Sequence, residues 1–227
     1  MPDVLLLHIE AAYGNTSFAI SKNGICTDVL FSAQSNQTAD VAHTLVQQIL
    51  DKNKLKFSDL NAVSVSSGPG SYTGLRIAAA MSKGICFAQN IPLIAIPTLQ
   101  AMSYGCIHRY GQTGYDWYIP MIDARRMEVF TTYYNQDLKA EKSFSSLILD
   151  EEWLAGLGCE KKIIFFGNGI NKLQLPDEFK DILLFHDFII SAEDQSLLAF
   201  QRYTARQFED IAYFEPNYFK AFYTPSN

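Results

Sequence analysis

The chain has 227 residues, 48% of them hydrophobic and 19% charged, which is the composition of an ordered globular protein and excludes intrinsic disorder. Its 18 Lys and Arg stand against 24 Asp and Glu, a net charge of −6, and no basic run is longer than Arg125-Arg126 or Lys161-Lys162. Binding a nucleic-acid backbone draws on Lys and Arg that neutralise phosphates, so this chain is not expected to hold RNA unaided.

Val4 to Glu10 reads as an apolar strand and Asn15 to Ser21 as a second; Lys22-Asn23-Gly24 is a turn signal, and Ile25 to Ser32 a third strand. Thr38 to Asp51 follows as a helix, with Val41, Ala42, Leu45, Val46, Ile49 and Leu50 on one broad face. A buried strand over Asn61 to Ser66 leads into Ser66-Ser67-Gly68-Pro69-Gly70-Ser71-Tyr72-Thr73-Gly74-Leu75-Arg76, then a helix from Leu75 to Ala88 and a short strand from Leu93 to Ile96.

The second half repeats the order. Trp117 to Ile122, Met127 to Tyr134 and Glu141 to Leu149 read as strands, Glu151 to Leu157 as a short helix, and Lys162 to Phe166 as a strand. Leu183 to Phe185 is a further strand, and Glu193 to Asp210 the last helix, capped by Ser191. Strand-strand-strand-helix-strand-helix-strand is the order of an actin/RNase H-like half. The expected fold is therefore α/β, two tandem actin/RNase H-like (ASKHA-type) subdomains at 1–105 and 106–227. The junction falls near 103–115, with the last helix packing back on the first subdomain.

Strand, glycine-rich turn and helix is an arrangement in which backbone N–H groups and the helix dipole can hold an anion. The spacing Gly68-x-Gly70-x-x-x-Gly74 is one residue too long for the dinucleotide fingerprint, and no Lys-Ser or Lys-Thr pair follows for a Walker A loop. Two readings stay open: a tight turn into a closely packed helix, or a phosphate cradle. The helix is apolar or small almost all round, with only Arg76 and Lys83 charged, so it is either a core helix or one covered by another chain. Its small residues would let a second backbone approach near the short end of the usual ~8–10 Å interaxial range.

The run Gly68 to Ile77 resembles the signature of the TsaB (YeaZ) family. Ile91-Pro92-Leu93-Ile94-Ala95-Ile96-Pro97-Thr98-Leu99, Ile122-Asp123-Ala124-Arg125-Arg126-Met127-Glu128-Val129-Phe130, Phe166-Gly167-Asn168-Gly169 and Glu215-Pro216-Asn217-Tyr218 are similar to that family's features in the same order. The resemblance implies a non-catalytic accessory subunit of bacterial tRNA threonylcarbamoyladenosine synthesis. Such a subunit pairs with its catalytic paralogue TsaD, and the ATPase TsaE joins them. Together they carry a threonylcarbamoyl group from threonylcarbamoyl-adenylate to N6 of the adenosine beside the anticodon of ANN-decoding tRNAs. It further implies no cofactor of the chain's own, ATP or ADP only within the complex, tRNA only through the complex, and a homodimer when the paralogue is absent. The partner surface is expected on the helices Thr38–Asp51 and Leu75–Ala88, at His43, Gln47, Leu75, Arg76, Ala79 and Lys83.

Nucleotide-binding relatives of the fold place an acid and a glycine turn near the N-terminus. Here that stretch carries Glu10 for the usual Asp and Ala11 for the usual Thr, which disturbs metal–phosphate geometry. Glu10, Asn15, Thr16, Ser71 and Asp123 then mark a degenerate nucleotide cleft, and the second phosphate turn, Asp123-Ala124-Arg125-Arg126, has no glycine at all. Ser71 reads as a helix N-cap rather than a nucleophile. Catalytic members of the wider group bind a metal through two histidines four residues apart. His43 instead has Ala39 and Gln47 at those positions, and His8, His108 and His186 are isolated.

Two other classes remain: a nucleotide-binding phosphotransferase of the same superfamily, and a peptidase-like protein. Cys26, Cys86, Cys106 and Cys159 are scattered with no C-x-x-C and read as reduced thiols. No apolar run approaches the ~20 residues that span a bilayer, and Val4 to Leu7 is too short for a signal-peptide core. A cytoplasmic location is expected. The aromatic tail, Tyr213, Phe214, Tyr218, Phe219, Phe222 and Tyr223, is expected to pack on the body rather than to stack bases.

Overall fold

The computed structural model describes residues 3–14, 16–32, 38–141, 145–179 and 181–218. Strands β1 (Leu5–Glu10), β2 (Ser17–Lys22) and β3 (Ile25–Phe31) form an antiparallel meander. Its second turn is set by two residues, Asn23 and Gly24, at φ of 53° and 82°. Two successive left-handed residues match the twist of paired strands, which is why Asn-Gly is the strongest short hairpin signal. Helix α1 (Thr38–Lys52) leads to β4 (Ala62–Ser66), α2 (Tyr72–Gln89), β5 (Leu93–Ile96) and α3 (Thr98–His108). The sheet order is β3-β2-β1-β4-β5, with β4 and β5 parallel to β1.

Alternation along β1 sorts its side chains between two layers. Leu7 and Ile9 join Phe18, Ile20, Val63 and Val65 against Val46, Ile49 and Leu50 of α1 and Ala78, Ala79 and Cys86 of α2. Leu6, His8 and Glu10 face the other way and are just as buried. They are covered by a 3-10 turn (Ala192–Gln195) and helix α5 (Ser196–Thr204), which arrive from the far end of the chain. Arg109 at the end of α3 holds this returning segment. Its Nε donates to Asp194 Oδ1 at 2.7 Å and its terminal nitrogen to Oδ2 at 2.9 Å. A Cβ on Gly105 would lie 2.5 Å from the Asp194 carboxyl, so the helix is bare where the carboxylate rests.

The second unit has its own sheet of β6 (Trp117–Asp123), β7 (Glu128–Thr131), β8 (Ser145–Ile148), β9 (Ile163–Phe166) and β10 (Ile182–Phe185), with helix α4 (Glu151–Ala155) between β8 and β9. The order β10-β9-β6-β7-β8 repeats that of the first sheet strand for strand, including which pairs are parallel. Ile119 and Met121 of β6 pack with Ile163 and Phe165 of β9 and Leu154 of α4 in its core. The two halves are thus tandem actin/RNase H-like units, as expected.

Of the boundaries that differ from the sequence reading, three bear on the architecture. The expected division at 105 falls inside α3. Among the described residues the compact units are instead 3–112 with 189–216, and 113–188 with 217–218. The last helix is not one element over 193–210. Ser191 does cap its start, accepting from Glu193 N–H, but the helix proper ends at Thr204. Beyond it Glu209 N–H pairs with the Leu93 carbonyl at 2.9 Å. The expected strand Glu141–Leu149 is Ser145–Ile148, with 142–144 outside the described residues.

Candidate functional site

Glu10 ends the central strand of the first sheet and is fully buried. Its Oε1 accepts from Ala12 N–H at 2.6 Å, and its Oε2 accepts from the Ser66 hydroxyl and from Gln195 Nε2, the latter at 3.2 Å. Burial pushes its pKa up to about 7, and these three donors only partly oppose that. The chain runs on behind it. Gln195 Oε1 accepts from Ser64 Oγ at 2.7 Å, Ser64 Oγ meets His8 Nδ1 at 2.6 Å, and His8 Nε2 meets Ser21 Oγ at 2.7 Å. Because the Ser64 hydrogen goes to Gln195, His8 carries its proton on Nδ1 and accepts from Ser21. Burial pushes the His8 pKa down to about 3, so the ring is neutral.

The sequence reading treats His8 as isolated and does not single out Ser64, Ser66 or Gln195; the structure joins all four to Glu10. The sequence signal was there in His8 and Glu10 alternating with apolar residues on a strand buried on both faces. Such groups need partners.

The glycine-rich turn lies directly on the β1–β2 turn. A Cβ on Gly70 would stand 2.4 Å from the Ala12 carbonyl oxygen, and one on Gly74 would stand 2.1 Å from that of Ala11. Ser71 N–H donates to the Ala12 carbonyl. Ser71 Oγ caps the helix by accepting from Gly74 N–H at 3.2 Å. The Ser71 and Gly74 N–H groups are thus spent on protein acceptors, and the glycines serve close backbone packing. Of the two sequence readings, the tight turn is the one observed. Thr16 is 2% exposed, and its carbonyl accepts from Ser32 N–H at 2.8 Å. Asn15 lies outside the described residues.

The residues expected to face a partner divide. His43 and Gln47 are exposed on α1, and Arg76 is exposed on α2, its guanidinium 5.2 Å from the Tyr72 ring centroid. Lys83 Nζ donates to the carbonyls of Ala212 and Phe214, each at 3.2 Å. Leu75 and Ala79, at 1% and 5% exposure, point into the core instead. Helical spacing puts both on the stripe of Ala78, Ser82 and Cys86 that lies on the sheet. The opposite stripe is Arg76, Ala80, Gly84 and Phe87; Phe87 is 82% exposed, and a Cβ on Gly84 would meet nothing within 4 Å. Of the aromatic tail, Phe214 packs in the core and Tyr213 is 84% exposed. Tyr218 is 37% exposed, while Phe219, Phe222 and Tyr223 lie outside the described residues.

Asp123 ends β6 as Glu10 ends β1, but in the second unit and exposed. Its Oδ1 accepts from Arg125 N–H at 2.6 Å and from Lys172 Nζ at 2.5 Å, and its own N–H donates to Asn168 Oδ1 at 2.9 Å. This is turn chemistry. In the same unit a cleft of about 330 Å³ is lined by Tyr133, Leu147, Ile148, Asp150, Glu152 and Trp153. Among the described residues, no group of three or more His, Cys, Asp and Glu is placed to hold a metal, and no helix is long and apolar enough to cross a membrane.

Two units that each extend an antiparallel meander by two parallel strands define the class, a tandem actin/RNase H-like protein. The profile of the family described as "TsaD: tRNA N6-adenosine threonylcarbamoyltransferase" matches residues 31–217. The chain belongs to that family.

Within that family it is similar to TsaB (YeaZ) proteins, as the sequence motifs implied, and also to transferases themselves, with 32% identity over 112 residues to the tRNA N6-adenosine threonylcarbamoyltransferase of Ligilactobacillus salivarius, covering 41% of this chain and 32% of that one. It is 29% identical over 133 residues to the tRNA threonylcarbamoyladenosine biosynthesis protein TsaB of Buchnera aphidicola subsp. Acyrthosiphon pisum, covering 59% of this chain and 58% of that one. It is 34% identical over 93 residues to TsaB of Escherichia coli K12, covering 41% and 39%. The chain therefore spans less than two thirds of the length of any of these relatives. The solved structure of YeaZ from Pseudomonas aeruginosa shares the fold, with a TM-score of 0.79 at 22% identity over 95% of this chain and 99% of that one.

Proposed function

We propose that this chain is an accessory subunit of a tRNA N6-adenosine threonylcarbamoyltransferase assembly, without catalytic residues or a cofactor of its own. The observation that carries this reading is the packing of Gly70 and Gly74 on the Ala12 and Ala11 carbonyls. The glycine-rich turn that could have cradled an anion lies instead against the protein's own backbone. Glu10, the acid of the expected cleft, is already met by three donors from the chain. The residues around His43 do not fit the two-histidine metal pair either, since Ala39 and Gln47 stand at the four-residue spacing.

Chemistry and metal then belong to the catalytic paralogue TsaD, the ATPase TsaE joins the pair, and ATP or ADP enters only with the complex. The surface offered to the paralogue is the outward side of α1 and α2, at His43 and Gln47 and along Arg76, Ala80, Gly84 and Phe87. Small residues between two exposed ends suit the close approach of another helix, and a stable interface there buries about 800 Å² per partner. The same face pairs two copies of this chain when the paralogue is absent. The acidic surface leaves tRNA to be held by the assembly, in the cytoplasm.

Reconstitution tests this reading. Unmodified tRNA and threonylcarbamoyl-adenylate are incubated with the transferase alone, this chain alone, and both. Modification that depends on both supports it; modification by this chain alone refutes it.

A further inference from the structure

The cleft of about 330 Å³ in the second unit opens where β8 runs into α4, and the accessory role makes no use of it. Its volume is at the small end of the range for ligand sites. Two half-buried aromatic side chains line it and are held from behind. The Trp153 ring lies 6.5 Å from that of Phe165, and Tyr133 meets Trp117 edge-on at 5.1 Å. Both pack against the core of Ile119, Ile163 and Phe165. Leu147 and Ile148 of the edge strand β8 add aliphatic surface, Ile148 being 57% exposed.

Two exposed carboxylates, Asp150 and Glu152, share this lining. Asp150 Oδ1 accepts from Trp153 N–H at 2.8 Å and so starts α4. Among the described residues no cationic side chain pairs with either acid. The charge of the whole unit has the same sign: residues 113–188 hold 13 Asp and Glu against 8 Lys and Arg, a net −5 of the chain's −6.

Aromatic faces, aliphatic walls and carboxylates without a cation are together complementary to an amphipathic cation. Arginine matches all three. Its planar guanidinium stacks on an aromatic ring, its N–H edge bonds a carboxylate through two hydrogens, and its methylene stem covers apolar surface. A lysine ammonium is a point charge and holds its water more strongly. We propose that the cleft beside Trp153 receives an arginine side chain from a basic segment of another protein. The proposal does not depend on the accessory role, nor on what covers α1 and α2.

The test titrates the full chain, labelled at its two tryptophan indole nitrogens, with the peptide acetyl-Ala-Arg-Ala-amide. The Trp153 indole N–H resonance, assigned by its loss in Trp153→Phe, should shift saturably with a Kd in the millimolar range. A citrulline peptide keeps the shape without the charge and should bind about tenfold more weakly; a lysine peptide should also bind more weakly. Asp150→Asn/Glu152→Gln retains the helix start, because Asn caps as well as Asp, and should weaken binding about tenfold. Asp177→Asn/Glu178→Gln removes the same charge from two exposed residues of this unit that do not line the cleft, and should bind as the wild type does. A Trp153 resonance that stays in place overturns the proposal. So do citrulline or lysine peptides that bind as tightly as the arginine peptide, or equal losses in the two acid-to-amide pairs.

Discussion

A Cβ on Gly74 would lie 2.1 Å from the carbonyl oxygen of Ala11, so the first turn of α2 rests on the β1–β2 turn only because residue 74 has no side chain. Gly74→Ala should therefore destabilise the protein by about 1–3 kcal/mol, since neither backbone can yield without moving a strand or a helix. Gly84→Ala, three turns along the same helix and in open space, should be neutral or stabilise by up to ~1 kcal/mol through helix propensity. Urea unfolding of both variants measures the contrast. Equal stability of the two would mean the turn is loosely packed.

If the glycine-rich turn serves packing and not phosphate binding, the isolated chain should not respond to ATP with Mg²⁺ in a thermal melt. A working site at 100 times its Kd would add about 2.7 kcal/mol of stability. A shift of that order would reopen the phosphotransferase reading.

Glu10 makes stability depend on pH in an unusual direction. Its pKa is about 7 in the folded protein against 4.5 for the ordinary side chain, so between these values the folded state binds more protons than the unfolded one. Stability from this group is full below about pH 4.5 and is lost as pH rises through about 7, a change of roughly 3 kcal/mol at most. His8 acts oppositely between about pH 3 and 6.5, where the unfolded state binds the extra proton. The Glu10→Gln variant isolates the carboxylate. Relative to wild type it should gain stability as pH rises from 4.5 to 7.5, and a pH-independent difference would show that Glu10 is ionised throughout.

The wiring around Glu10 also marks where sequence reasoning stops. Asn23-Gly24 could be read directly, because a local conformational demand selects the residues that meet it. The meeting of Glu10 with Gln195 could not, because the two are 185 residues apart and joined through a segment that returns across the sheet. The face of α2 was hidden for a different reason. Ala78, Ala79 and Ala80 are alike in size and polarity, so hydrophobic periodicity cannot say which of them turns inward. Leu75 and Cys86, both fully buried, fix the inward stripe once the sheet is seen beneath them.

That stripe sets the next prediction. Ala79→Glu places a carboxylate in the core and should unfold the chain or destabilise it by several kcal/mol. Ala80→Glu, one residue on and exposed, should keep a wild-type circular dichroism spectrum and melting temperature while losing co-elution with the transferase. Unchanged co-elution of a folded Ala80→Glu variant would move the partner surface away from α2.

The most direct measurement is tRNA threonylcarbamoylation by purified components, with the transferase, its ATPase partner and this chain each omitted in turn. The expected result is no modification by this chain alone, and modification lost or strongly reduced whenever it is left out. Modification of tRNA by this chain in the absence of the transferase, or full activity of the transferase without it, would contradict the accessory role.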